Sequence, residues 1–193
     1  MTSKNSKSSN RKVEHPLHVA LGNALNALTE KIGPSKILRD RVCGGSHNLP
    51  LFIGEKRSNA SECCNPDFLI LQNDEIYVII EVEEAGIKPT QICGKFLTSV
   101  IATHYIHGTE KPLAKSKSTT FVQVVDISRL KHDSNKIKQF EMLKTAICLI
   151  LPMIKSTGII QYELFPVKDT TEEKMRKVVT FILDKINAVP VGG

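Results

Sequence analysis

The sequence predicts a mixed α/β domain with a largely buried central sheet flanked by helices, and three observations predict it. Leu17, Leu21, Leu25, Leu28 and Ile32 recur at three- and four-residue spacing, the mark of an amphipathic helix. Two runs, PDFLIL at 66–71 and IYVIIEVE at 76–83, are apolar and β-branched almost without interruption, as strands buried on both faces are. Beyond residue 90 helical and extended patterns alternate, which is how a chain covers the faces of a sheet.

Taken in order, the first helix is stopped at Gly33-Pro34. Residues 49–54 (LPLFIG) read as extended and join the two β runs, separated by the turn-forming QNDE, in a three-stranded meander. Ile92, Phe96, Val100 and Ile101 give a second helix from Thr90. The polar, basic stretch 108–120 (GTEKPLAKSKSTT) reads as a loop, and 121–127 (FVQVVDI) as a strand. A third helix over 137–154, a short strand over 161–167 and a last helix follow. The last opens on the Thr/Glu signature of TTEEKMRK and carries apolar residues to Ile186. The resulting order is αβββαβαβα.

At 193 residues the chain suits one domain, expected over 13–193 behind a tail at 1–12. That tail carries Lys4, Lys7, Arg11 and Lys12 with no acid, and its Ser/Asn/Lys composition predicts disorder. The formal charge of +6 therefore overstates the folded part, where 22 basic residues face 20 acidic ones. No apolar run is long enough to span a membrane, and the tail lacks the apolar core of a signal peptide. Five cysteines, an odd number, suggest reduced thiols and a cytoplasmic setting.

The chemistry is carried by acids in the two β runs. Glu81 and Glu83, two residues apart, point to one face of a strand that is otherwise apolar. A hairpin centred on Asp74 pairs residues whose numbers sum to 148, which sets Asp67 opposite Glu81. Opposed carboxylates in a partly buried place repel each other and lose hydration, so a positive charge is needed between them. Asp67, Glu81 and Glu83, or the Val82 carbonyl, offer the oxygen ligands that Mg²⁺ takes, and such an ion acidifies bound water and offsets charge on a phosphodiester. The plainer alternative is a solvated sheet end whose acids pair with Lys or Arg from elsewhere.

Pro66-Asp67, then fourteen residues to Glu81-Val82-Glu83, resembles the PD-(D/E)xK motif of the restriction endonuclease-like nuclease superfamily, and the order αβββαβ is similar to that superfamily's core. The likeness covers roughly residues 15–130. It implies Mg²⁺-dependent hydrolysis of double-stranded DNA, with Asp67 and Glu81 as metal ligands and a homodimer to cut both strands. Glu83 stands where the family has lysine; some restriction enzymes of the superfamily share this, and there the acid helps bind metal or orient water. Gln91-Ile92-Cys93-Gly94-Lys95 resembles the Gln-x-x-x-Tyr/Lys pattern of several nuclease branches, making Lys95 the replacement lysine, with Lys88 behind it and an exposed helix lysine as the alternative. Glu30, late in the first helix, is either a further ligand of the kind some branches use or a solvated residue. The specific expectation is a type II restriction endonuclease; a repair or junction-resolving nuclease and a catalytically silent DNA-binding or assembly module are the alternatives.

Other constellations are weaker. Cys43, His47, Cys63 and Cys64 make a poor zinc set, because Cys63 and Cys64 are adjacent and lack the two-to-four-residue spacing of structural zinc pairs. His104 and His107, one helical turn apart, face DNA or a metal, or are solvated at a helix end. There is no Walker loop and no Gly-x-Ser-x-Gly elbow. Phosphate contacts would come from Lys36, Arg39 and Arg41, from Lys111, Lys115 and Lys117, and from Lys131, Lys136 and Lys138. With no Trp and 5% aromatics, the chain suits duplex backbone better than stacked single strands.

Overall fold

A computed structural model describes residues 15–84, 87–131 and 134–188; the basic tail at 1–12 lies outside the described residues. The chain is mixed α/β, with a mixed sheet flanked by helices. Helix α1 (Pro16–Asn26) begins with proline in its first turn, where a missing N–H costs nothing, and buries Leu17, Leu21 and Leu25. It is shorter than its apolar spacing predicts. After Asn26 the backbone changes to i→i+3 bonds (Leu28 to Leu25, Thr29 to Asn26, Lys31 to Leu28), and the Thr29 hydroxyl donates to the Asn26 carbonyl. Leu28 and Ile32 stay buried, so the pattern continues where the helix does not.

The main sheet is built from β1 (Lys36–Arg39), β4 (Phe68–Gln72), β5 (Glu75–Glu83), β7 (Leu113–Asp126) and β8 (Ile159–Val167), neighbours in that order. β1, β4 and β5 are antiparallel; β7 runs parallel to β5, and β8 parallel to β7. The meander expected from residues 49–54 is thus corrected: its first strand is β1, a four-residue edge strand with charged ends that is too short to register as a periodic pattern. Residues 51 and 52 instead form β2 (Leu51–Phe52), which pairs with β3 (Glu62–Cys64) and β6 (His104–Tyr105) in a small annex.

The expected basic loop is also corrected, because residues 113–120 belong to β7. Its first residues pair with β6 and its second half lies between β5 and β8. Polar residues are accommodated there by hydrogen bonds. The Thr119 hydroxyl donates to the carbonyls of Ile76 (2.8 Å) and Ser116 (2.9 Å), and the Lys115 ammonium donates to the Ser99 and Val100 carbonyls (2.8 and 2.7 Å) near the end of α2 (Pro89–Ile101). Burial lowers the Lys115 pKa to about 8, and its position in this cap removes it from the candidate phosphate contacts.

Helices α3 (Asn135–Ile150, continued by a 3-10 segment Leu151–Thr157) and α4 (Glu172–Asn187) complete the layers. Strand alternation sorts the core into two sides. Phe68, Ile70, Val78, Ile80 and Val82 face α1 and α4; Leu69, Leu71, Ile79 and Phe121 face α2 and α3. On the latter side Phe96, Phe121 and Tyr162 pack ring against ring at 5.3–6.0 Å between centroids. Among the described residues, no helix is long and apolar enough to cross a membrane.

Gly22 lets α1 lie directly on the segment after β1: a Cβ there would stand 2.5 Å from the Cys43 carbonyl oxygen. In an open helix Gly→Ala gains about 1 kcal/mol of stability. Here backbone blocks the methyl, so Gly22→Ala is expected to destabilise by about 1–3 kcal/mol, read as a lower urea midpoint.

Candidate metal and catalytic site

The hairpin β4–β5 turns through Asn73 and Asp74, both with positive φ (51° and 59°), a conformation these residue types tolerate. Next to the turn the register sums to 147 (Gln72↔Glu75, Leu71↔Ile76); a bulge then shifts it to 148 (Ile70↔Val78, Phe68↔Ile80). Continued by one pair, this register sets Asp67 opposite Glu81. The shift also changes which face each residue takes, placing Glu81 and Glu83 in the row of Ile79 toward α2.

The three acids are buried, Glu81 to 1% exposure. The solvated sheet end is thereby corrected, although its other half holds: a lysine from elsewhere pairs with the acids. From the second turn of α2, the Lys95 Nζ donates to Glu81 Oε2 at 2.8 Å and lies 3.0 Å from Glu83 Oε1. Pro89 in the first turn and the Gln91 carboxamide, which accepts the Lys88 N–H at 2.8 Å, set where this helix starts. Gln91 is therefore a cap, and Lys88 is exposed. Asp67 is fixed by the Val82 N–H, which donates to its Oδ2 at 2.6 Å. Behind Glu81, in register on β7, the buried Gln123 accepts from the Tyr162 hydroxyl (2.7 Å) and donates to the Ile92 carbonyl (3.3 Å).

Burial raises the Glu81 pKa to about 8, opposed by Lys95 and reinforced by Asp67 and Glu83. Burial works against the Lys95 ammonium too, but Glu81, Asp67 and Glu83 reverse it and hold its pKa above the ordinary lysine range. The ammonium of Lys95 is shared by Glu81 and Glu83, while Asp67 is met by the Val82 N–H and by His18.

Among the described residues, two groups bring one ligand atom each from three side chains within 4.8 Å of one another: His15 with His18 and Glu84, and Asp40 with Cys43 and Asp67. Asp67 with Glu81 and Glu83 is not such a group. His18, in the first turn of α1, is the residue missed in the sequence. Its Nε2 lies 3.5 Å from Asp67 Oδ1 and its Nδ1 3.1 Å from Glu84 Oε2. Burial disfavours its charged form, but Asp67 and Glu84 outweigh this and raise its pKa. The His15/His18 spacing at the start of a helix is the one sequence signal that points to it.

Glu30 lies beyond α1 and is exposed, which corrects its place on the first helix. Cys63 and Cys64 lie in β3 while Cys43 lies by Asp40, and no zinc set of Cys43, His47, Cys63 and Cys64 forms among the described residues. His104 sits in β6, not at a helix end, and His107 stacks on His47 at 3.7 Å. Beside the site, past the ends of β5 and β7, a cavity of about 290 Å³ is lined by Glu84, Ile87, Lys88, Arg129, Lys136 and Phe140 among others. No protein-family model, no curated protein and no solved structure matches this chain.

An acid whose folded pKa stands above its ordinary 4.5 keeps its proton longer in the native chain, so stability falls as pH rises from 4.5 toward about 8. Without divalent ions, unfolding free energy from denaturant curves should decline over that window, at most about 1.4 kcal/mol per pH unit, and Glu81→Gln should flatten the decline. Lys95→Met strands the acids without a counter-charge. It should cost roughly 2 kcal/mol, less than a fully buried pair would, because 36% of the Lys95 side chain meets water. Millimolar Mn²⁺ should restore part of the lost thermal stability; a melt indifferent to Mn²⁺ would argue that the acids hold no ion.

Proposed function

We propose that this chain is a Mg²⁺-dependent DNA endonuclease with a restriction endonuclease-like core, a type II restriction enzyme or close relative. The observation that carries the reading is the trio of buried acids, Asp67, Glu81 and Glu83, at the ends of β4 and β5, with the Lys95 ammonium bridging Glu81 and Glu83. The succession of α1, three antiparallel strands, α2 and a parallel β7 supports it, being similar to the αβββαβ core of that superfamily.

Asp67 and Glu81 would hold the ion, and Glu83 would accept a hydrogen bond from the attacking water. Bound there, Mg²⁺ supplies an acidified water and charge compensation at the phosphate. Lys95 exchanges its bond to Glu81 for the non-bridging oxygens of the scissile phosphate, where its charge is needed most. In-line attack forms one P–O bond as the other breaks and inverts the phosphorus. Lys88, Arg129 and Lys136 lie around the neighbouring cavity and offer charge to adjacent phosphates. Cutting both strands calls for two such sites, hence a homodimer on a two-fold symmetric duplex target.

With Mg²⁺ or Mn²⁺, supercoiled plasmid should be nicked and linearised, and Asp67→Asn, Glu81→Gln and Lys95→Ala should each slow cleavage by roughly 10²-fold or more. Discrete bands indicate restriction, while preference for branched or damaged DNA indicates a repair or junction-resolving enzyme. If no condition yields cleavage, the catalytically silent module, in which Lys95 stays locked to Glu81 and Glu83, replaces this reading.

A further inference from the structure

We propose a second metal site, of transition-metal and not magnesium type, formed by His15, His18 and Glu84 where the start of α1 meets the end of β5. His15 Nδ1 and His18 Nδ1 lie 3.0 and 3.1 Å from the same oxygen, Glu84 Oε2. The two rings meet edge to face, at 77° with centroids 5.4 Å apart, so their nitrogen edges converge without stacking. A tetrahedral zinc ion with ordinary bond lengths separates its nitrogen and oxygen ligands by about 3.4 Å, a few tenths more than these distances. A small outward movement of the exposed His15 therefore admits the ion.

The surroundings prepare the donors. Glu84 Oε1 accepts the Leu17 N–H, which orients the carboxylate and leaves Oε2 free to face the histidines. His18 is 9% exposed, and its other nitrogen, Nε2, faces Asp67 Oδ1 at 3.5 Å. When His18 is neutral with its proton on Nε2 toward Asp67, Nδ1 is a bare lone pair aimed at a carboxylate, two acceptors in contact, which either a second proton or a metal ion relieves. Consistent with that conflict, the buried His18 Nδ1 makes no well-directed hydrogen bond despite its short distance to Glu84. A cation between them resolves it, and a carboxylate behind a histidine is the usual outer support of a metal ligand. Two imidazoles and one carboxylate select Zn²⁺ or its neighbours Co²⁺ and Ni²⁺ over Mg²⁺, which takes oxygen, and leave a fourth position for water. Such an ion ties α1 to β5 next to the acid trio.

The readout is metal binding by the full chain and does not depend on DNA cleavage. After chelator treatment, Zn²⁺ titrated against a chromophoric competitor should occupy one site, and Co²⁺ should give visible d–d absorption. His15→Ala removes a ligand whose side chain is 54% exposed, and so spares packing; with Glu84→Gln, it should weaken Zn²⁺ binding at least about tenfold. Zn²⁺ should also raise the melting temperature of the native chain and not of His15→Ala. Cys63→Ser with Cys64→Ser, and His104→Gln, should bind Zn²⁺ as the native chain does. Absence of Zn²⁺ binding, or equal binding by His15→Ala and Glu84→Gln, would overturn the site; loss of binding only in the cysteine variants would assign the metal elsewhere.

Discussion

A lysine ammonium held between buried carboxylates is the constraint around which the rest of this molecule is arranged. Glu81 is enclosed by the sheet and α2, with Glu83 two residues on and Asp67 opposite, and neither desolvation nor mutual repulsion lets these charges stand alone. Lys95 answers them from α2, fourteen residues after Glu81. For that to happen α2 must begin within a few residues of β5 and return over the same face. Pro89 and Gln91 define its start, and Ile92 and Phe96 bury its inner side on the sheet, which leaves Lys95 at the edge facing the acids.

The hairpin's register sets which residues meet. Had the pairing begun at Gln72↔Glu75 run on unchanged, Asp67 would lie opposite position 80, and Glu81 and Glu83 would turn to the α1 face. The bulge inserts one residue on the β5 side and moves the later acids onto the α2 side, together with Ile79. Asp67 then sits where the layers meet, bonded to the Val82 backbone and approached by His18 from α1. Through His18 and Glu84 the helix on one face and the strand end on the other share a set of charges.

Much of this arrangement is legible in the sequence. The β4 and β5 runs, the turn between them and the pairing of Asp67 with Glu81 follow from short-range pattern, because a tight hairpin connects them, whereas Lys95 is singled out only by the resemblance of Gln91–Lys95 to a nuclease helix pattern. Three features escaped it. β1 is a four-residue edge strand with no periodicity to detect, and the extended pattern of residues 49–54 stands out in its place. The first half of β7 looks like a loop because it is rich in Lys, Ser and Thr, and it is a strand only because those groups find carbonyls of Ser99, Val100 and Ile76. His18 looks like one more residue in the first turn of a helix, and nothing nearby in sequence says that Asp67 and Glu84 are its neighbours.

Local sequence therefore determines which residues form strands and helices near the hairpin, and which acids share a face, since both depend on periodicity and on turn length. Tertiary structure alone decides that those acids are buried, that Lys95 and not solvent neutralises them, and that α1 brings His18 to Asp67. Those outcomes depend on how helices cover the two faces of a sheet. The contacts that settle them join residues 14 to 69 positions apart, beyond the reach of any local pattern.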